Sequence, residues 1–476
     1  MRLDELIDGA AGAVEVAGLA YDSRSVGPGD LFFCVPGLVA DGHDHAQSAV
    51  AAGAVALVVE RPLGLGVPEV EVASVRAAMP PIAARFHGDP TATLQVAGIT
   101  GTNGKTTIAY VARSLLEAAG RRCSLLGTVK AVIGGTERDA ARTTPEAVDL
   151  QAAFREMLDA GDLACAMEVS SHALAMHRSD AIHFAAAVFT NLSRDHLDFH
   201  TTMDEYFEAK RRLFTELAPE YAIINLDDEW GRRLAAEVPD AVTYAIDAPA
   251  DYRARELRLH SRGGELQLET PEGPLELRTA LPGRFNVSNV LAATATVHRL
   301  GVPLATIAAA MPEIAGAPGR FQAVDEGQPF TLLVDYAHTP DSLQNVLRAA
   351  RSLGDGRLIC VFGCGGDRDR GKRPQMGRIA CELADVVIVT SDNPRSEEPQ
   401  AIVEEILAGC SGPAAVESPI DRREAIQRAL ELAAPGDVVL IAGKGHEQGQ
   451  EFADGLKLPF DDVEVARGAL RAAMRA

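Results

Sequence analysis

The stretch from Gly98 to Thr107, GITGTNGKTT, constrains the chain more than any other. An apolar run precedes it, and a helical pattern, TTIAYVARSLLEAAG, follows it. Glycines placed just before a helix let successive backbone N–H groups and the helix N-terminus converge on a phosphate. That cradle needs a strand behind it and a helix ahead of it, so the motif predicts a strand–loop–helix unit of an α/β domain. Lys105 is positioned to reach the β/γ phosphates, and Thr106 to offer its hydroxyl to Mg²⁺. Gly101, Thr102, Asn103, Gly104 and Thr107 complete the candidate ATP-binding loop. Ile99 stands where the strict pattern has its first glycine. A glycine turn can be purely structural, but Gly-Lys-Thr in this context argues for a nucleotide. No NKxD guanine signature and no HRD catalytic loop follow, which sets aside a GTPase and a protein kinase, while a mechanical ATPase stays open from this loop alone.

Around this unit the chain divides into three blocks. Residues 1–88 form a small α/β segment with strand-like DLFFCVPG and AVALVVE, and FHGDPTATLQ reads as a linker. Residues 89–316 alternate strands (CAMEVSS, FAAAVFTNLS, YAIINLD) with helices. Near the end of this block come three alternating runs, RELRLHS, GELQLET and LELRTAL, separated by turn residues, which predict an antiparallel insertion. Residues 317–476 repeat strand and helix, beginning FTLLVDY then PDSLQNVLRAARSL, and predict a doubly wound parallel sheet. Ligands in such sheets sit beyond the carboxyl ends of the strands. Four loops fall there: DYAHTPD, GCGGDRDRGKRP, SDNPRSEEP and GKGHEQ.

Charge narrows the partners. Lys and Arg total 45 against 67 Asp and Glu, a net of −22, which opposes sequence-independent binding to nucleic acid or to an anionic membrane. The first residues, MRLDELIDGAAG, lack a signal-peptide core, and the longest apolar run, Ala49 to Val59, is too short to span a membrane. Seven cysteines without zinc-type spacing read as buried thiols. A cytoplasmic chain without membrane insertion, acting as a monomer, is expected.

Strand-end polar groups then gather on the phosphate loop's side. Glu168 closes AMEVSSH, with Ser170, Ser171 and His172 just beyond, and Asn191 and His196 follow the next strand. Glu168 is the best carboxylate candidate for Mg²⁺ and His196 a supplementary one. The segment MDEYFEAKRRLFTEL poses a sharper problem. At helical spacing Met203, Phe207, Phe214 and Leu217 make one apolar stripe, with Tyr206 and Leu213 beside it, and Lys210 lies in that stripe. A buried unpaired charge is costly, so Lys210 either snorkels outward or is compensated.

The motifs YDSR, GTNGKTT, TTPEA, MEVSSH, NLSRDHLD, EAKRRLF, GRFNVSN, VDYAHTPD, FGCGGDRDRGKRP, DNPR and AGKGHE occur in one order along nearly the whole chain. In this the chain resembles the Mur ligases, ATP-dependent amide-forming enzymes of peptidoglycan precursor synthesis, and is most similar to their diaminopimelate-adding branch. The resemblance implies a carbamylated Lys210 that shares a second Mg²⁺ with Glu168 and His196. It implies that ATP phosphorylates the D-glutamate γ-carboxylate of UDP-N-acetylmuramoyl-L-alanyl-D-glutamate, and that an amine of meso-diaminopimelate attacks the acyl phosphate. By the same resemblance Asn286 and Asn289 lie near the adenine, and Arg320 and Asp335 near the phosphates and ribose. Tyr21 and Ser23 match uridine-side positions, and Thr143, Thr144, Ser170 and Arg178 match positions for the muramoyl dipeptide. Arg142, Met176 and the Leu38-Val39 pair depart from the pattern of some relatives.

The SDNPRSEEP loop is expected to choose the amino acid. Diaminopimelate carries a second carboxylate that lysine lacks, and the planar guanidinium of Arg395 can pair with it bidentately. Asp392 and Asn393 can take the neighbouring ammonium, and Pro394 stiffens the turn. Arg368, Gly443 and Glu447 match further pocket positions. The competing readings are a lysine-adding ligase or a folylpolyglutamate synthase, both opposed by Arg395 and the YDSR segment, and a nucleotide switch that leaves Lys210, His196 and DNPR without a role.

Overall fold

The protein is described by a computed structural model, covering all residues except 11–13, 38–39, 141, 198, 261 and 474–476. The Leu38-Val39 departure therefore lies outside the described residues. The chain forms two compact units: Met1–Tyr244 with Ala292–Pro303, and Ala245–Leu291 with Leu304–Ala476.

The first unit opens with a four-stranded parallel sheet whose outer strands are Gly18–Ala20 and Glu69–Glu71. Apolar clusters cover both its faces, Leu3, Leu31, Phe33 and Val58 on one and Phe32, Cys34 and Leu57 on the other. That is the expected burial for a parallel sheet, whose crossover helices cover it twice. A second sheet follows, with Gln95–Thr100 at its centre between Phe184–Phe189 and Ala164–Glu168. Tyr221–Asn225 and Cys123–Leu126 flank these, all parallel, and two short antiparallel strands, Lys130–Ile133 and Thr136–Asp139, finish one edge. The phosphate loop thus leaves the middle strand of a parallel sheet and runs into the helix Lys105–Ala118, as the sequence predicts. The lysine-bearing helix is Met203–Thr215, capped by Thr202, whose side chain accepts from Glu205 N.

In the second unit Tyr252–His260, Gly263–Glu269 and Leu275–Thr279 pair antiparallel, as their alternation predicts. Six further strands build a sheet in which Thr331–Asp335, Val438–Ala442, Leu358–Phe362 and Val386–Val389 lie side by side and parallel, and Gly449–Glu451 pairs separately with Lys457–Pro459. Two apolar clusters, one around Leu343, Leu347 and Met376 and one around Ile426 and Ala466, cover its two faces. The helix Pro340–Arg351 starts where the residues demand it: Thr339 and Ser342 form a capping box and Pro340 occupies the first turn. The four loops singled out in the sequence all leave carboxyl ends of this sheet. The closing helix Asp462–Ala473 had no sequence assignment. Among the described residues no helix is long and apolar enough to cross a membrane. Six of the cysteines are buried and Cys410 is partly so, all as free thiols.

Candidate active site

The phosphate loop is held from behind by the strand-end segment Thr190–Ser193. Thr102 N donates to Asn191 O at 2.8 Å, and Asn103 N to Asn191 Oδ1 at 3.0 Å. Thr190 Oγ1 donates to Asn103 O at 2.6 Å. A side chain at Gly101 (φ +143°) would place its Cβ 1.8 Å from Thr190 Oγ1, so only glycine fits this approach. Gly104 (φ +91°) caps the helix that follows. Lys105 folds back on its own loop, with Nζ donating to Gly101 O at 2.9 Å and Thr102 O at 2.8 Å.

Lys210 does not snorkel. It is 1% exposed, and Nζ donates to the same Gly101 O at 3.0 Å and to Thr100 Oγ1 at 3.4 Å, above the Tyr206 ring at 4.7 Å. Burial, reinforced by the neighbouring Lys105 charge, pushes its amine well below the usual lysine range and favours the neutral form. The helix therefore aims Lys210 beneath the phosphate loop.

Glu168, also 1% exposed, sits on the other side of the loop. Its Oε2 accepts from Thr106 Oγ1 at 3.0 Å and Thr128 Oγ1 at 3.1 Å, while Oε1 accepts from Thr128 N at 2.8 Å. His196 (φ +53°) lies in a ring cluster with His172, 5.0 Å between centroids, and with Tyr206. His200 joins that cluster; burial first, then nearby His172 and Lys210, bring it down to about 4, and its Nε2 meets Ser171 Oγ at 2.9 Å. Sequence reasoning did not single out His200. Among the described residues no three His, Cys, Asp or Glu side chains gather as a metal cage.

The positions assigned to the dipeptide converge. Thr143 Oγ1 is 3.0 Å from Thr128 Oγ1, Thr144 Oγ1 donates to Glu168 O at 2.9 Å, and Ser170 caps the short helix beginning at Ser171. Arg178 Nη1 donates to Thr144 O at 3.3 Å. The two departures from the pattern meet at this arginine. Glu146 Oε1 is shared by Arg178 Nε at 2.9 Å and Arg142 Nη1 at 2.8 Å, and Arg178 Nη2 reaches Met176 Sδ at 3.4 Å. Tyr21 OH donates to Asp149 Oδ2 at 2.6 Å, tying the first sheet to the helix Ala147–Asp159, and Ser23 lies in the turn beside it.

In the second unit Asn286 and Asn289 are buried in the helix Arg284–Arg299. Asn289 Nδ2 donates to Asn286 Oδ1 at 3.0 Å, and Asn286 Nδ2 to Pro282 O at 2.8 Å. Asp335 accepts from Phe321 N and Ala337 N, and burial pushes its carboxyl upward. Arg320 is not a plain surface arginine: its guanidinium lies 4.6 Å from the Tyr336 ring centroid, with a buried Nε.

The DNPR loop is zipped to the glycine loop beside it. Gly366 N donates to Asn393 O at 2.8 Å, and a Cβ at Gly366 would fall 1.9 Å from Pro394 O. Arg395 occupies left-handed backbone (φ +50°), strained for a side-chain residue and held by its N–H to Glu451 O. Its Nε donates to Glu451 Oε2 at 2.9 Å and Nη1 to Gly366 O at 2.8 Å. Arg368 is exposed nearby, with Nη1 donating to Asp367 O. Behind the loops the fully buried Arg373 pairs with Glu397 and Glu405. Asp392 and Asn393, expected to take an ammonium, already hold one from Lys444, which is fully buried and also reaches Glu447. Sequence reasoning assigned no role to Lys444 or Glu451.

Three family models match. Residues 15–87 match the Mur ligase family catalytic domain, 99–297 the Mur ligase middle domain, and 319–445 the Mur ligase glutamate ligase domain. The chain is 46% identical over 471 residues to the UDP-N-acetylmuramoyl-L-alanyl-D-glutamate–2,6-diaminopimelate ligase of Geobacillus thermodenitrificans, covering 97% of this chain and 96% of that one. It is equally similar, 46% over 479 residues, to the same-named ligase of Synechococcus elongatus, covering 97% and 95%. A solved structure of a ligase of that name superposes with a TM-score of 0.76 at 35% identity, covering 100% of both chains. A MurF ligase from Thermotoga maritima, solved in complex with ADP, shares the fold with a TM-score of 0.63 at 19% identity, covering 98% of this chain and 100% of that one.

Proposed function

The chain belongs to the Mur ligase family, and from that membership we propose that it joins meso-diaminopimelate to UDP-N-acetylmuramoyl-L-alanyl-D-glutamate at the expense of ATP, in cytoplasmic peptidoglycan precursor synthesis. The observation that carries this reading is the full-length identity to ligases of that name, 46% over 97% of the chain. The local chemistry supports it. Acyl activation brings a carboxylate against a triphosphate, and like charges must be offset at the moment of transfer. Lys105 exchanges its two loop carbonyls for phosphate oxygens, and the N–H groups of Gly101 to Thr107 receive the remaining negative charge. Asn286, Asn289, Arg320 and Asp335 bind the rest of the nucleotide.

The donor set suits magnesium. Thr106 and Glu168 present a hydroxyl and a carboxylate 3.0 Å apart, hard oxygens of the kind Mg²⁺ takes, with water and phosphate supplying the rest. His196 would add a further ligand. A neutral Lys210 amine is the form that accepts CO₂: an N–C bond forms, one N–H proton is released, and the carbamate would put a carboxylate-like donor where the amine was. Bound there, magnesium would offset phosphate charge. Tyr21, Ser23, Thr143, Thr144, Ser170 and Arg178 orient the UDP-substrate. Arg368, Asp392, Asn393, Pro394, Arg395, Gly443 and Glu447 form the amino-acid pocket, with Arg395 selecting the distal carboxylate. No protein nucleophile is needed. The division of labour follows three blocks, 1–88 for the UDP-substrate, 89–316 for ATP and 317–476 for the amino acid.

One assay tests this: purified chain with ATP, the UDP-muramoyl dipeptide and a panel of amino acids, reading phosphate release and product mass. Phosphate and a product of matching mass are expected with diaminopimelate. Phosphate release indifferent to the amino acid contradicts the proposal.

A further inference from the structure

The acceptors assigned to a substrate ammonium already surround an ammonium of the chain itself. Lys444 Nζ donates to Asn393 Oδ1 at 2.8 Å, Glu447 Oε2 at 3.1 Å and Asp392 Oδ1 at 3.3 Å. Asn393 Nδ2 closes the ring by donating to Glu447 Oε2 at 2.9 Å. The ring is fixed from below. Arg422, fully buried against Asp462, donates from Nη2 to Ala442 O at 3.0 Å and from Nη1 to Ser391 O at 3.4 Å. Those carbonyls belong to the residues just before Gly443 and Asp392. Gly443 (φ +116°) leaves no slack, since a Cβ there would lie 3.0 Å from Asp392 Oδ2.

The charge of such a wall decides what end of an amino acid it admits. Asp392 and Glu447 alone would present two carboxylates, attractive to any alkylammonium. Lys444 offsets one of those two charges, and beside it Arg395 is paired with Glu451. A wall with half that excess, flanked by a guanidinium, suits a terminus that carries an ammonium and a carboxylate on one carbon. It attracts an ammonium alone less than two unopposed carboxylates would, and specificity is a difference of affinities. On the ligase reading above, we propose that Lys444 is a specificity-determining residue: by offsetting one of the charges of Asp392 and Glu447 it tunes the pocket to a zwitterionic terminus and against a bare alkylammonium one.

The test compares kcat/KM for diaminopimelate and for lysine in the full-length protein and in Lys444→Gln and Lys444→Arg. Glutamine keeps a donor and removes the charge, whereas arginine keeps the charge. The ratio of the two substrates should fall about tenfold or more in Lys444→Gln, with KM for ATP unchanged, and stay within about threefold of the parent in Lys444→Arg. An unchanged ratio in the glutamine variant overturns the inference, as does an equal fall in both variants, which would assign the effect to shape. If Lys444→Gln does not fold, the parent decides with 2-aminopimelate added to the panel. A pocket tuned to a zwitterionic terminus disfavours both lysine and 2-aminopimelate, whose distal ends carry net charge of opposite sign, and equal use of lysine and diaminopimelate overturns it. A parent that makes no product from diaminopimelate refutes the ligase reading instead.

Discussion

The nucleotide loop and the amino-acid pocket hold their basic side chains in opposite ways. Under the loop, Lys105 and Lys210 both donate to the carbonyl of Gly101, and burial favours the neutral amine at Lys210. In the pocket every buried cation meets an acid: Lys444 meets Asp392 and Glu447, Arg422 meets Asp462, and Arg373 meets Glu397 and Glu405. Two lysine side chains converging on one backbone oxygen place N–H donors where an incoming polyanion can engage them. Paired cations are already satisfied, so they shape a recess rather than attract charge. On the proposed function, the first region receives phosphate and the second measures a side chain.

The largest effect should come from breaking the first region. Lys210→Ala is expected to lower kcat on the order of 10²-fold or more, the scale of losing one preorganised charge-stabilising group. Added formate or acetate should restore part of it by supplying a carboxylate where the lysine was. Wild-type turnover in Lys210→Ala would remove that helix from the chemistry.

Arg395→Lys probes the second region. Lysine keeps the charge but cannot hold Glu451 Oε2 and Gly366 O while offering a planar fork. Apparent affinity for diaminopimelate should weaken by roughly 1–3 kcal/mol, with KM for ATP unmoved. Titration of amino-acid concentration reads this directly, and equal weakening toward ATP would show a collapsed domain instead of a lost contact.

Acid should separate the regions further. The Arg373 guanidinium, with help from Asp367 N, holds the Glu397 carboxyl down to about 2, against an ordinary 4.5. A carboxyl lowered on folding contributes stability that is complete above its unfolded value and is lost as pH falls through the folded one. Thermal unfolding midpoints should therefore decline from about pH 4.5 toward 2, and the decline should be shallower in Glu397→Gln. A parallel decline in both proteins would place the acid sensitivity elsewhere.

The smallest effect belongs to Tyr21→Phe, which removes one hydrogen bond to Asp149 at a half-exposed site. A stability loss of about 0.5–1.5 kcal/mol is expected in denaturant titrations. No loss would mean that the apolar contact of the two elements suffices without it.

How much of this was legible in the sequence follows from how local each feature is. The phosphate loop was readable because strand, glycines, lysine and helix are contiguous. Lys210 was readable because helical spacing alone placed it on the buried stripe. The three antiparallel runs announced themselves by alternation. Lys444 was not readable: its partners Asn393 and Asp392 lie 51 and 52 residues earlier. Glu451 reaches Arg395 across 56 residues. Nor does a fully exposed four-residue strand such as Thr136–Asp139 carry a periodic signal. Arg142 and Met176 stood out as isolated departures, and only the fold shows that both act on Arg178.

The central claim is that Lys105 and its loop deliver a phosphoryl group to the carboxylate of the peptide. Labelling the D-glutamate γ-carboxylate with heavy oxygen and weighing the orthophosphate released tests it most directly. The account predicts one labelled oxygen in the phosphate for each amide formed. Unlabelled phosphate accompanying full amide yield would contradict it.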